Sequence, residues 1–202
     1  LEVGVTSSDN IAVGYEALKQ STSSSSNICI GGQAMYNANS SSYNIAIGSQ
    51  ALYNTVNGGD ANIGIGNFAL YQNLTGLRNT AIGYSALQNS LVDDNTAVGY
   101  HSLEKNTTGA ANTAVGSNSL NANTTGANNV AVGHNALSAN TTGFSNVSIG
   151  QNNLSSNTGG FANVAIGQNV MTSNTNGNNN VGIGQDTLNS VDRKSTRLNS
   201  SH

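Results

Sequence analysis

The side chains that could transfer protons, bind metals or attack an electrophile are few: three histidines, one cysteine and nine acidic residues in 202. A metal centre or an acid–base pair needs such groups brought to one point. His101 and His134 fall in different columns of the repeat described below and His202 lies beyond it, so no metal-spaced pair is present. Asp93 and Asp94 are neighbours in a short polar loop and read as a solvated turn, since a hard-cation site asks for more carboxylates. Cys29 stands at a small-residue position, where a buried, inert thiol is expected. Glycines recur without the lysine that completes a phosphate loop. The chain therefore reads as non-enzymatic, with no catalytic, cofactor-binding or metal-binding residue.

Binding chemistry has more to draw on. Tyr15, Tyr84 and Tyr100 recur at one variable position and could mark a contact patch. Thr107, Thr124 and Thr141, with Thr108, Thr125 and Thr142, form two short columns of the kind that could order water on a flat face and bind ice. The same N-T-T triplets match the glycosylation acceptor pattern. Nucleic acid is a poor partner: of six basic residues, Arg193, Lys194 and Arg197 crowd the C-terminus and Lys19, Arg78 and Lys105 are scattered, so no stripe faces a phosphate backbone. No secretory leader or membrane-spanning run is visible in this sequence.

What positions these side chains is an internal repeat. Units open at Asn10, Asn27, Asn44, Asn62, Asn79, Asn95, Asn112, Asn129, Asn146, Asn163 and Asn180; eight intervals are 17 residues, one is 18 and one is 16. Residues 112–128, NTAVGSNSLNANTTGAN, show the pattern, whose markers there are Asn112, Val115, Gly116 and Leu120. The second and fourth positions are β-branched in every unit and share one strand face. The third is small, leaving the opposite face room for little more than a methyl group. Glycine at the fifth position suits a left-handed turn or a close chain approach and ends the strand. Leu or Met at the ninth should point inward, stacked on its copies.

A strand followed by a second, shorter one makes each unit a coil of a parallel β-solenoid, with equivalent residues about 4.8 Å apart along the axis and eleven coils on the order of 50 Å long. Laddered amides give the leading Asn a structural role. The absence of Pro fits strands paired on both edges. With two β-branched residues, two small ones and one Leu per coil, the core is thin against the entropy of ordering seventeen residues, and burial against neighbouring chains would help.

The unit N-[ITV]-A-[VI]-G-x-x-A-L resembles the head repeats of YadA-like trimeric autotransporter adhesins and is similar to repeats of phage tail fibres. The family's units are shorter, the difference falling in the N-T-T-G stretch. The resemblance implies an all-β, left-handed parallel β-roll assembled as a homotrimer, with the small third position as a close-approach surface between chains. It also implies an extracellular or bacterial cell-surface location and attachment to host cells, matrix proteins or receptors. The competing expectation is a passive phage or viral tail-fibre shaft; a lesser one is an ice-binding solenoid. Residues 1–9 read as the end of a truncated preceding repeat, residues 10–191 as the solenoid, and residues 192–202 as a non-repeat tail.

Overall fold

The computed structural model describes residues 7–56 and 58–189; most of the expected lead-in and the whole tail at 192–202 lie outside the described residues. Each repeat contributes one three-residue strand: β1 (Ile11–Val13), β2 (Ile28–Ile30), β3 (Ile45–Ile47), β4 (Ile63–Ile65), β5 (Thr80–Ile82), β6 (Thr96–Val98), β7 (Thr113–Val115), β8 (Val130–Val132), β9 (Val147–Ile149), β10 (Val164–Ile166) and β11 (Val181–Ile183). They pair in parallel in chain order as one eleven-stranded sheet, so the chain winds through about ten turns of a β-solenoid. Register is residue on residue, as in Thr113 on Val130 and Val115 on Val132.

The faces of those strands are assigned opposite to the core inventory drawn from the sequence. The middle residue points inward: Ala46, Ala81, Ala97, Ala114, Ala131 and Ala165 are fully buried, as is Cys29. The β-branched pair points outward, with Val115 36% exposed and Val13 at the end of the stack 57%. Geometry requires one face or the other, because neighbours in a strand alternate. The inner face is taken by alanine because the ninth-position column fills the space opposite: Leu52, Leu70, Leu87, Leu103, Leu120, Leu137 and Leu154 are all 0% exposed. A Cβ on Gly64 would already sit 3.3 Å from the Leu52 side chain. A coil this narrow has room for one large side chain and its small companions, so the small third position is interior and cannot be the approach surface between chains.

The expected second strand is also absent among the described residues; the run after the glycine is a chain of turns. Within that run the seventh and ninth residues of the unit are left-handed in every described coil, for example Asn118 at φ 57° and Leu120 at φ 49°. Each such non-glycine residue costs about 1–2 kcal/mol. Inter-coil hydrogen bonds offset that cost: Gln33 N donates back to Tyr15 O at 2.7 Å, and Met35 N donates forward to Ala51 O at 2.9 Å. The turns thus pair from coil to coil as strands do, which satisfies the backbone without extended structure.

The corner glycine meets both demands read from the sequence. Gly116 has φ 132°, and a Cβ there would lie 2.5 Å from the carbonyl oxygen of Gly133 in the next coil. Gly116→Ala should lower stability by about 3 kcal/mol through this overlap and the unfavourable φ. Ala111→Gly, at an exposed left-handed position with φ 56°, should raise it by up to about 1 kcal/mol. Urea unfolding followed by circular dichroism checks both signs.

Candidate functional surface

Two ladders of buried amides hold the surface groups in place. The leading Asn ties its coil in two directions: Asn129 Nδ2 donates across the coil to Gly143 O at 2.8 Å, while its Oδ1 accepts the backbone N–H of Asn146 from the next coil at 3.0 Å. A second ladder runs through the N-T-T-G stretch, where Asn123 Nδ2 donates to Asn106 Oδ1 at 2.7 Å and to Gly126 O at 2.9 Å. Glycine is required there, since a Cβ on Gly109 would stand 2.7 Å from Asn106 Oδ1. These asparagines are 0% exposed, so the N-T-T triplets at 106, 123 and 140 offer a glycosylating enzyme no amide while the coil is folded. The recurrence of Asn at the twelfth position, from Asn73 to Asn174, is the signal in the sequence for this second ladder.

The threonine columns divide by role. Hydroxyls of Thr107, Thr124 and Thr141 donate to the backbone carbonyls of Thr124, Thr141 and Thr158 in the following coils, each at 3.0 Å. Thr158 continues the column to Thr175 O at 3.2 Å. Their protons are committed to the stack, leaving Thr108, Thr125 and Thr142 as the exposed row. One three-membered row is a narrow base for ordering a water lattice.

The charged residues pair locally. Arg78 donates to both carboxylate oxygens of Asp94, at 2.7 and 2.9 Å, and these bonds hold the Asp94 carboxyl below the usual carboxylate range. With both partners about half exposed, the pair adds little stability. Asp93 is drawn into the stack, accepting from Leu77 N at 2.9 Å, so the two carboxylates serve the turn. His134 is exposed, whereas His101 packs edge-on against Tyr100 at 4.0 Å between centroids, and its Nδ1 lies 2.9 Å from Glu104 Oε2 without hydrogen-bond alignment. Among the described residues no group of three or more His, Cys, Asp or Glu is placed to hold a metal ion. Likewise no helix there is long and apolar enough to cross a membrane. A concavity lined by residues of the first two coils, Ala12, Gly14 and Leu18 among them, has Lys19 and Glu16 beside it, neutralising each other at 2.6 Å.

Aromatic side chains form the most extensive surface grouping. Tyr84 and Tyr100 stack at 5.7 Å, and Phe68 meets Tyr84 at 5.8 Å and Tyr71 at 5.9 Å. Tyr71, Tyr53 and Tyr36 continue as a stack, with the Lys19 ammonium 5.7 Å from the last ring. Tyr15, grouped with Tyr84 and Tyr100 by its position in the repeat, has no ring contact with them and stands apart, 74% exposed. The patch is therefore Phe68, Tyr71, Tyr84, Tyr100 and His101, with the other tenth-position tyrosines, Tyr53 and Tyr36, stacked on Tyr71. Position in the unit could place Tyr84 over Tyr100, but the link through Phe68 joins three different columns and is visible only once the coils are stacked.

The other large feature is the outer face of the sheet, two columns of Ile, Val and Thr running the full length of the stack. At about 50 Å by 10 Å it approaches the largest apolar patches that single-chain soluble proteins carry. Comparison of the chain with family models, curated proteins and solved structures gives no match.

Ser21, Ala38 and Thr55 hold the twelfth position in the first three coils, and within the run from Asn73 to Asn174 the second ladder is broken where Ser90 replaces Asn and leaves both Ser90 Oγ and Asn73 Oδ1 buried without a partner. Ser90→Asn should restore the rung and raise stability by about 1 kcal/mol, seen as a higher urea midpoint with unchanged slope. Burial pushes the Cys29 thiol up to about 12, so almost no thiolate forms near neutral pH. A disulfide reagent at pH 8 should leave Cys29 unmodified until denaturant is added; rapid labelling of the folded chain would contradict the burial.

Proposed function

We propose that this chain is a segment of an extracellular adhesin head or fibre, a rigid left-handed β-roll that assembles as a homotrimer and presents polar faces for multivalent attachment to host cells, matrix or receptors. The observation that carries the reading is the uncovered β-branched face. It is continuous over eleven strands and free of charged side chains at its second and fourth positions. Three copies packed through such faces would bury them about a common axis and supply the apolar burial that a single narrow coil lacks. The small third position, inside the coil, plays no part in that contact.

Packing of this kind leaves the turn runs, with their amide, threonine and aromatic columns, on the outside of the rod. Many weak sites repeated at a fixed spacing can give strong attachment without a deep pocket. The proposed location is the bacterial cell surface, and the proposed role is non-enzymatic.

Light scattering after size exclusion tests the assembly, with a mass of three chains expected at all concentrations. Val130→Lys with Val132→Lys, both outward-pointing, should reduce it to one chain while the β-type circular dichroism persists, because a lysine row cannot be buried unpaired. A wild-type monomer would overturn the trimer. Binding of the assembled rod to cells or matrix-coated surfaces then separates an adhesin, which binds, from a passive tail-fibre shaft, which does not.

A further inference from the structure

Tyr36, Tyr53 and Tyr71 occupy the tenth position of three successive coils and stack with centroids 5.2 Å apart at both steps and interplanar angles of 5° and 17°. Their backbones are pinned coil to coil: Gln20 N donates to Tyr36 O at 3.0 Å, Asn37 N to Tyr53 O at 2.9 Å, and Asn54 N to Tyr71 O at 3.1 Å. Beside the rings, Asn37 Nδ2 donates to Asn54 Oδ1 at 2.7 Å. Separation along the axis is fixed, and the rings keep only their side-chain torsions. All three are half-buried, reachable by solvent and shielded on their faces. Stacked rings turn their edges outward, and those edges carry the hydroxyls and the ortho carbons. The ends are occupied as well, by Lys19 over Tyr36 and by Phe68 in a T-shaped contact with Tyr71. A planar ligand would find no open ring face within the stack.

We propose that this tyrosine ladder is a site of oxidative cross-linking, at which a one-electron oxidant of the peroxidase class joins successive coils through dityrosine bonds. Each of two neighbouring phenols gives up one electron and its hydroxyl proton, forming two phenoxyl radicals with spin density at the ortho carbons. A quarter turn about each Cβ–Cγ bond sets the rings edge to edge across the inter-coil spacing of about 4.8 Å, where their ortho carbons face each other. A carbon–carbon bond forms between them, and the two ortho hydrogens move to the oxygens as the rings regain aromaticity. The net loss is two electrons and two protons per link, taken up by one hydrogen peroxide as it is reduced to two waters. Tyr53 has a free ortho carbon on each side and can join both neighbours. Such links would staple three coils, adding a covalent tie to a stack otherwise held by hydrogen bonds and a narrow core.

Geometry and accessibility make opposite forecasts here, which gives the test its force. Tyr15 and Tyr43 are the more exposed, at 74% and 69%, and a reaction governed by exposure would couple them first, between chains. The full chain at low micromolar concentration is treated with a haem peroxidase and hydrogen peroxide, digested with pepsin, and mapped by mass spectrometry. The expected products are Tyr36–Tyr53 and Tyr53–Tyr71 links, each two hydrogens lighter than the unlinked peptides, in a yield unchanged over a tenfold dilution. Tyr53→Phe, which keeps the ring and its packing, should remove both links and cut the yield involving Tyr36 and Tyr71 at least tenfold. Links dominated by Tyr15 or Tyr43, a yield that falls with dilution, or unchanged Tyr36 and Tyr71 coupling in Tyr53→Phe would overturn the proposal.

Discussion

Every part of this molecule answers to one requirement, that a residue sit directly above its equivalent in the preceding coil. The leading asparagine enforces it. Its amide nitrogen closes its own coil, and its amide oxygen receives the backbone of the next, so a rung out of place loses both contacts inside a buried site. The irregular intervals show how strongly the rung is held. The 18-residue unit keeps Asn62 N on Asn44 Oδ1 at 2.8 Å, and the 16-residue unit keeps Asn95 N on Asn79 Oδ1 at 2.9 Å. Extra and missing residues are absorbed in the polar half, and the strand register does not change.

Stacking also explains which parts of the fold could be read from the chain. The asparagine, glycine and leucine columns were legible because each does its work at a fixed place in the unit, whatever the neighbouring coils carry. The orientation of the strand was not. Hydrophobicity ranks Ile and Val above Ala as core residues, and only the width left by the leucine column reverses that ranking. The turn half was hidden for a different reason: Asn118 and Leu120 adopt left-handed backbone although Leu has no local preference for it, and the conformation is imposed by hydrogen bonds to the coils on either side.

The surface was legible to a smaller degree again. Tyr84 and Tyr100 share a column and do stack, but Tyr15 shares that column and is four coils from Tyr84 and five from Tyr100. A column predicts a contact only between adjacent units, and contacts between columns, such as Phe68 with Tyr84, depend on how the turns place neighbouring side chains. The two halves of the described stack are decorated differently as a result. Tyrosines, His101 and the ion pairs lie in the first six coils, while the later coils carry asparagine and threonine rows with Phe144 and Phe161 stacked at 4.7 Å.

Because strand contacts run only between adjacent coils, the stack has no centre and no preferred length. Removing or duplicating one whole unit would leave the other interfaces as they were and create one new junction between equivalent columns. Recombination between near-identical repeats of a gene makes such changes readily. The reach of the rod is therefore open to rapid inherited adjustment, one step of about 4.8 Å at a time, without any new packing problem to solve.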